Sequence, residues 1–189
     1  MMAMADGGER RHPGGSRQNV ARILVIGDTH VGTVRELPGG VLRAIEEADR
    51  VVHCGDYVSS AVVTELERLS PGFVGVYGNA DPGDVRRRLP PEATFQWEGR
   101  TIAVTHPHWA GHPDGLEEEL VAMFPGADVI LFGHTHEPCN LEMNGTLLLN
   151  PGQAYASFMV PASVGVLTIT RGKLKGEIMT FDQCGLPPR

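Results

Sequence analysis

The chain has little of what would place it outside ordinary globular proteins. Its three cysteines, Cys54, Cys139 and Cys184, are odd in number and lack the close spacing of a zinc site, so neither a disulfide framework nor a thiolate metal centre is indicated. They read as reduced, structural thiols. Long apolar runs are missing: stretches such as Arg22–Gly27 and Val129–Gly133 fall far short of the roughly 20 residues that span a bilayer, which excludes a transmembrane helix. Basic charge is scarce as well. With 16 Lys and Arg against 23 Asp and Glu, the formal charge is −7, which offers no basic field to a long nucleic-acid backbone. No apolar stretch follows Arg10 and Arg11, so no secretory or twin-arginine signal is read there, and a cytoplasmic protein is expected.

What is present is the composition of a globular domain, 41% hydrophobic and 21% charged, enough for one substantial core. Residues 1–20, rich in Gly, Arg and small polar types, carry no hydrophobic periodicity and read as a disordered tail; residues 21–189 read as the folded domain. Strands are predicted over Arg22–Gly27, Val51–Cys54 and Phe73–Tyr77, and helices over Gly40–Ala48 and Ser60–Leu69. These first strands are continuously apolar, which suits a sheet buried on both faces by helices. Thr94–Trp97 and Thr101–Thr105 flank the Glu98-Gly99 turn, and a helix covers Asp114–Phe124. Strands follow at Val129–Phe132, Asn140–Met143, Thr146–Leu149, Ser163–Thr170 and Lys173–Phe181, with hairpin turns at Asn144-Gly145 and Arg171-Gly172. The pattern is a strand-rich α/β domain without internal repeats.

Residues able to ligate metal recur at the carboxyl ends of these strands, where open α/β sheets hold their ligands. They are Gly27-Asp28-Thr29-His30, Gly55-Asp56, Gly78-Asn79-Ala80-Asp81, Thr105-His106 and Gly133-His134-Thr135-His136. Carboxylate, amide and imidazole donors without thiolate suit Mn, Fe, Zn or similar divalent ions. In extended backbone, ligands two residues apart point to one side, so Asp28 with His30, and His134 with His136, can converge on one centre. A lone Asp-x-His or Gly-His-Thr-His would mean little. The weight lies in their ordered recurrence at strand ends.

The ordered set Asp28-x-His30, Gly55-Asp56, Gly78-Asn79, His106 and Gly133-His134-x-His136 resembles the signature of the calcineurin-like metallophosphoesterases over residues 22–181. Gly78-Asn79-x-Asp81 and Asn150-Pro151-Gly152 resemble its short, uncapped phosphodiesterase branch. The resemblance implies a four-layer αββα sandwich of two mixed β-sheets flanked by helices. It implies one divalent ion on Asp28, His30, Asp56 and His136 and a second on Asp56, Asn79, His106 and His134, with manganese expected first and iron, zinc, nickel or cobalt as alternatives. The implied reaction is hydrolysis of a small phosphodiester by in-line attack of a metal-bridging hydroxide. Two divalent ions against two carboxylates leave the site at roughly +2, which attracts an anionic ester despite the acidic surface.

Two departures from the family pattern stand out. Ala80 occupies the place where phosphomonoesterases of the family often carry a histidine that helps protonate the leaving group, and its loss favours diesters. His106-Pro107-His108 replaces the usual His-Gly-His; proline restricts His106 to extended backbone and alters the loop carrying His108, the candidate substrate contact. Asp81 is the other candidate catalytic residue, either orienting a ligand or capping a helix near Gly83. His53, inside an apolar strand, reads as a core histidine or one that orients a ligand. Arg86-Arg87-Arg88 reads as a solvated helix face rather than a phosphate site, and His12 and His112 carry little. The competing reading is a protein-binding scaffold of the Vps29 type, and the filled ligand positions favour catalysis over it. The expected partner is a small phosphoester, with no membrane and no long nucleic acid; an oligomer is compatible with these residues.

Overall fold

The structure, a computed structural model, describes residues 20–70, 72–108, 115–157, 160–170 and 172–181. The expected tail lies outside these residues except for Val20, and so do His12, His112, Asp114, Arg171, Cys184 and the last eight positions, 182–189.

In chain order the elements are β1 (Val20–Ile26), α1 (Gly39–Glu47), β2 (Arg50–His53), α2 (Ser60–Leu69), β3 (Val74–Gly75), α3 (Gly83–Arg88), β4 (Glu92–Trp97), β5 (Arg100–Thr105), α4 (Leu116–Met123), β6 (Val129–Phe132), β7 (Cys139–Met143), β8 (Thr146–Asn150), β9 (Ala162–Thr170) and β10 (Lys173–Phe181). They build two five-stranded sheets, ordered β10-β9-β1-β2-β3 and β4-β5-β6-β8-β7. Each sheet is mixed. The β1-β2-β3 and β5-β6-β8 runs are parallel, while β9, β10, β4 and β7 join antiparallel.

Side-chain alternation along the strands sorts the core into layers. Ile23 and Val25 of β1 point between the sheets, where they meet Val52, Val104, Val129, Leu131, Leu149 and Leu167. Leu24 and Ile26 point the other way, into Val41 and Ile45 of α1 and Val62, Val63 and Leu66 of α2. On the far side, α4 sets Leu116 and Leu120 on Ile130, Phe132 and Leu148. The result is the αββα sandwich. The expectation that helices cover both faces of the first sheet is therefore corrected: one face packs on helices and the other on the second sheet. A continuously apolar strand reports burial on both sides, and either cover satisfies it.

Local chemistry explains most boundaries. The Ser59 hydroxyl accepts from Ala61 N at 3.2 Å and starts α2. Asn144 and Gly145 (φ 52° and 82°) give the β7–β8 hairpin the left-handed pair of a tight turn. The third strand is shorter than predicted, because Tyr77 N leaves the ladder and donates to the Pro90 carbonyl at 3.0 Å. A 3-10 turn at Val34–Glu36 went unpredicted; the Glu36 carboxylate closes it by accepting from Thr33 N at 2.9 Å. Cross-sheet ties come from Asn140 Nδ2 to the Gly176 carbonyl at 2.9 Å and Arg100 Nη2 to the Gly172 carbonyl at 2.6 Å. No helix among the described residues is long and apolar enough to cross a membrane.

Candidate metal centre

The loops after β1, β2, β3, β5 and β6 open at one end of the sandwich and bring the predicted donors together. His136 Nε2 lies 3.3 Å from Asp28 Oδ1 and 3.3 Å from His30 Nε2. Asp56 Oδ2 is 3.7 Å from His30 Nε2 and 3.6 Å from His106 Nε2, which makes it the carboxylate common to both halves. On the second half, His106 Nε2 faces Asn79 Oδ1 at 3.1 Å, and the His134 ring stands 5.1 Å from the His106 ring, centroid to centroid. Asp28 with His30 and His136, and Asp28 with Asp56 and His106, each converge closely enough to share an ion.

Hydrogen bonds fix which imidazole nitrogens are bare. His106 Nδ1 is 2.8 Å from the Cys54 carbonyl, which only accepts, so Nδ1 carries the proton and Nε2 offers a lone pair. Gln153 Nε2 donates to the Tyr155 carbonyl at 3.0 Å, which turns Gln153 Oε1 toward His136 Nδ1 at 3.3 Å and leaves His136 Nε2 bare in the neutral ring. That nitrogen faces Asp28 Oδ1, a fully buried oxygen with no hydrogen-bond partner. The 3.3 Å approach of these two atoms is satisfied by a proton on the ring or by a shared cation, and the donor set fits a divalent ion. The same approach pushes the His136 pKa up, chiefly through Asp28, while burial and then His106 push His134 down.

The backbone pays for this convergence. Asp28, His30, Asp56, His134 and His136 all have positive φ, between 46° and 80°, a region that costs a non-glycine residue on the order of 1–3 kcal/mol. The extended-backbone argument for the Asp-x-His and His-x-His pairs is therefore corrected. These ligands sit in left-handed turns, and it is the turn rather than strand alternation that aims them. The glycines contribute space more than conformation: a Cβ on Gly78 would collide with Asp56 Oδ1, and one on Gly133 would come within 2.8 Å of Asp28 Oδ2.

Supporting groups surround the centre. Asp81 is buried and accepts four backbone N–H bonds, from Asp56 (3.0 Å), Tyr57 (2.7 Å), Val58 (2.9 Å) and Gly78 (2.8 Å). It makes no side-chain cap for α3, whose first turn follows Pro82. His53 is buried, accepts from Gly55 N at 3.1 Å, and so presents Nε2–H to the Thr29 hydroxyl at 3.1 Å, which in turn reaches the Asp56 carbonyl at 3.4 Å. The Cys54 thiol is fully buried, and that burial, reinforced by Asp28, raises its pKa well above the ordinary value. His108 is exposed at the rim, its Nδ1 3.2 Å from the His106 carbonyl.

Comparison with known proteins agrees with this geometry. The profile of the calcineurin-like phosphoesterase superfamily domain matches residues 22–172. The chain belongs to the calcineurin-like phosphoesterase superfamily. A Methanothermobacter thermautotrophicus protein named "Probable metallophosphoesterase" is 34% identical over 158 residues, 83% of this chain and 91% of that one. A phosphodiesterase of Methanocaldococcus jannaschii is 28% identical over 77% of this chain and 92% of its own length. The crystal structure of Chaetomium thermophilum Vps29, 20% identical, superposes with a TM-score of 0.73 over 89% of this chain and 94% of that one, a likeness of fold. Membership in this superfamily implies divalent metal ions and phosphoester chemistry.

Other readings from the sequence fare differently within the domain. Arg86, Arg87 and Arg88 form the exposed helix face expected, and two of them also anchor neighbouring segments. Arg86 donates through Nε to the Asp81 carbonyl at 2.8 Å and through Nη2 to the Asn79 carbonyl at 2.7 Å, so it clamps the loop that carries Asn79. Arg88 pairs with Glu67 at 2.8 Å. Gln153 and Tyr155 went unnoticed in the sequence. Tyr155 stands edge-on to His30 and His136, with ring centroids 5.8 and 6.4 Å away, and no spacing motif marks either residue.

Proposed function

We propose that Asp28, His30, Asp56 and His136 hold one divalent ion and Asp56, Asn79, His106 and His134 a second, and that the domain hydrolyses a small phosphodiester. Manganese is the first candidate, ahead of iron, zinc, nickel or cobalt. The observation that carries this reading is the convergence of His30 and His136 on Asp28, whose Oδ1 is buried without a hydrogen-bond partner and lies 3.3 Å from His136 Nε2. Bound ions would supply Lewis-acid polarisation of the phosphoryl oxygens and a nucleophilic water at neutral pH.

The chain's own residues do the positioning. Asp81 fixes the turn that presents Asp56, and Arg86 fixes the turn that presents Asn79. His108 stands exposed at the rim with Nδ1 turned to the His106 carbonyl, and is the candidate substrate contact. Ala80 is exposed and offers no proton to a leaving group, so esters with a better leaving group are favoured. The name of the Methanocaldococcus jannaschii relative supports a diester, and the acidic surface supports a small substrate over a long nucleic acid.

The test uses metal-stripped protein with Mn²⁺ restored, assayed on an aryl phosphodiester and the matching monoester beside Asp56→Ala and His134→Ala. The expected outcome is metal-dependent diester turnover that falls on the order of 10³-fold in both variants, with the monoester turned over poorly. Stoichiometric Mn²⁺ binding without turnover of either ester would sink the enzymatic reading and favour a protein-binding scaffold like Vps29.

A further inference from the structure

We propose that Gln153 is a positioning residue for His136 and sets the strength of the ion site formed with Asp28 and His30; this rests on the metal reading above. Gln153 is 4% exposed, so its amide must find partners inside the protein. Its NH₂ group donates to the Tyr155 carbonyl, which leaves its Oε1 to accept from His136 Nδ1 at 3.3 Å. The side chain therefore holds the ring with Nδ1 toward the amide and Nε2 toward Asp28.

The backbone beneath Gln153 is held as firmly. Its carbonyl accepts from Ser163 N at 2.8 Å, and the next residue, Ala154, donates to the Gly27 carbonyl at 3.1 Å, tying this loop to the one that carries Asp28. From the preceding turn, Asn150 Nδ2 donates to the Thr135 hydroxyl at 3.0 Å, between the two histidines of the β6 loop. Gln153 thus sits on a platform joined to the loop that carries Asp28 and to the one that carries His136.

The two halves of the centre orient their histidines by different means. His106 is oriented by a backbone carbonyl at 2.8 Å, while His136 is oriented by a side-chain amide at 3.3 Å. A neutral amide draws the Nδ1 proton less strongly than a carboxylate would, and groups behind a ligating histidine typically change metal affinity about 10–100-fold. Both orienting groups are neutral amide oxygens, but the contact to His136 is the longer, so the His136 site is the weaker and more readily exchanged of the two. Gln153→Glu would place a carboxylate behind the ring and strengthen it.

Calorimetric titration of metal-stripped protein with Mn²⁺ tests this on the wild type, Gln153→Leu and Gln153→Glu, with thermal unfolding confirming that each is folded. The expected result is two classes of site in the wild type. Gln153→Leu should weaken the looser class by at least about tenfold and leave the tighter one in place, and Gln153→Glu should restore or tighten it. Superimposable isotherms for all three proteins would overturn the role of Gln153 alone. A wild type that binds no Mn²⁺ would overturn the metal reading, and this inference with it.

Discussion

At the end of the sandwich where β1, β2, β5 and β6 begin, polar groups pair with one another; at the end where these strands finish, carboxylate oxygens converge with imidazole nitrogens. At the first end, Asp128 takes Arg100 at 2.7 Å and Thr101 N at 2.8 Å, Asp49 takes Arg22 N at 2.8 Å, and Thr146 donates to the Ala127 carbonyl at 2.9 Å. Even there the pairing is incomplete, since Arg50 Nε and Trp97 Nε1 are buried without partners, although the Arg50 guanidinium lies 4.4 Å from the centre of the Trp97 ring. The difference is greater in the backbone. The ligand end concentrates left-handed non-glycine residues and turns its carboxylates toward bare nitrogens. One end spends hydrogen bonds on stability, and the other holds strained, unsatisfied groups that a cation can satisfy.

Asp81 is the sharpest way to break this comparison, because its carboxylate accepts four backbone N–H groups at the strained end. Asp81→Ala would leave buried N–H groups of both metal loops without an acceptor and should cost about 3 kcal/mol, a fall in Tm of about 6–12 °C for a domain of this size. Denaturant unfolding measures it; an unchanged midpoint would mean that the loops hold themselves. A smaller effect of opposite sign is expected at Val58, a β-branched residue at φ 60° that is 36% exposed. Val58→Asn should raise stability by about 1 kcal/mol, and a fall would show that packing of the valine outweighs its strain.

The smallest effect belongs to the paired end. The Thr101 N–H first, and then Arg100, hold the Asp128 pKa below its ordinary value. A carboxyl depressed on folding stabilises above its unfolded pKa, and that contribution is lost as pH falls through the folded value. Asp128→Asn should therefore cost under about 1 kcal/mol at neutral pH, and the difference in Tm from the wild type should shrink as pH drops below the ordinary aspartate value. A difference that stays constant into acid would assign the effect to packing instead.

Much of the site was legible because its signal is local. A glycine or threonine followed by a donor at the end of an apolar run names both the strand and a candidate ligand, and Asp56, Asn79, His106 and His134 all follow that pattern. The sheet pairing of these runs is long-range, yet periodicity and turn residues such as Asn144-Gly145 delimit most strands closely. What sequence could not supply were roles made by contact across the fold. Arg86 acts on backbone carbonyls, which leave no trace in side-chain spacing. Gln153 meets His136 across 17 positions, with two strands between them. The extended-backbone reading of Asp28-x-His30 failed because positive φ is uncommon even at aspartate and histidine, which adopt it more often than most residues, so their identity alone does not announce the turn.

Cys54 lends its carbonyl to His106, and its own sulfur lies fully buried beside the Asp28 field. Because that field and the burial keep the proton on sulfur at neutral pH, no thiolate is on offer next to the cluster of oxygen and nitrogen donors. Soft ions such as copper(I) lose the ligand they would prefer, and oxidants and alkylating agents lose the nucleophile they would attack. The polypeptide thus carries a cysteine directly beneath its most reactive surface while keeping it chemically silent.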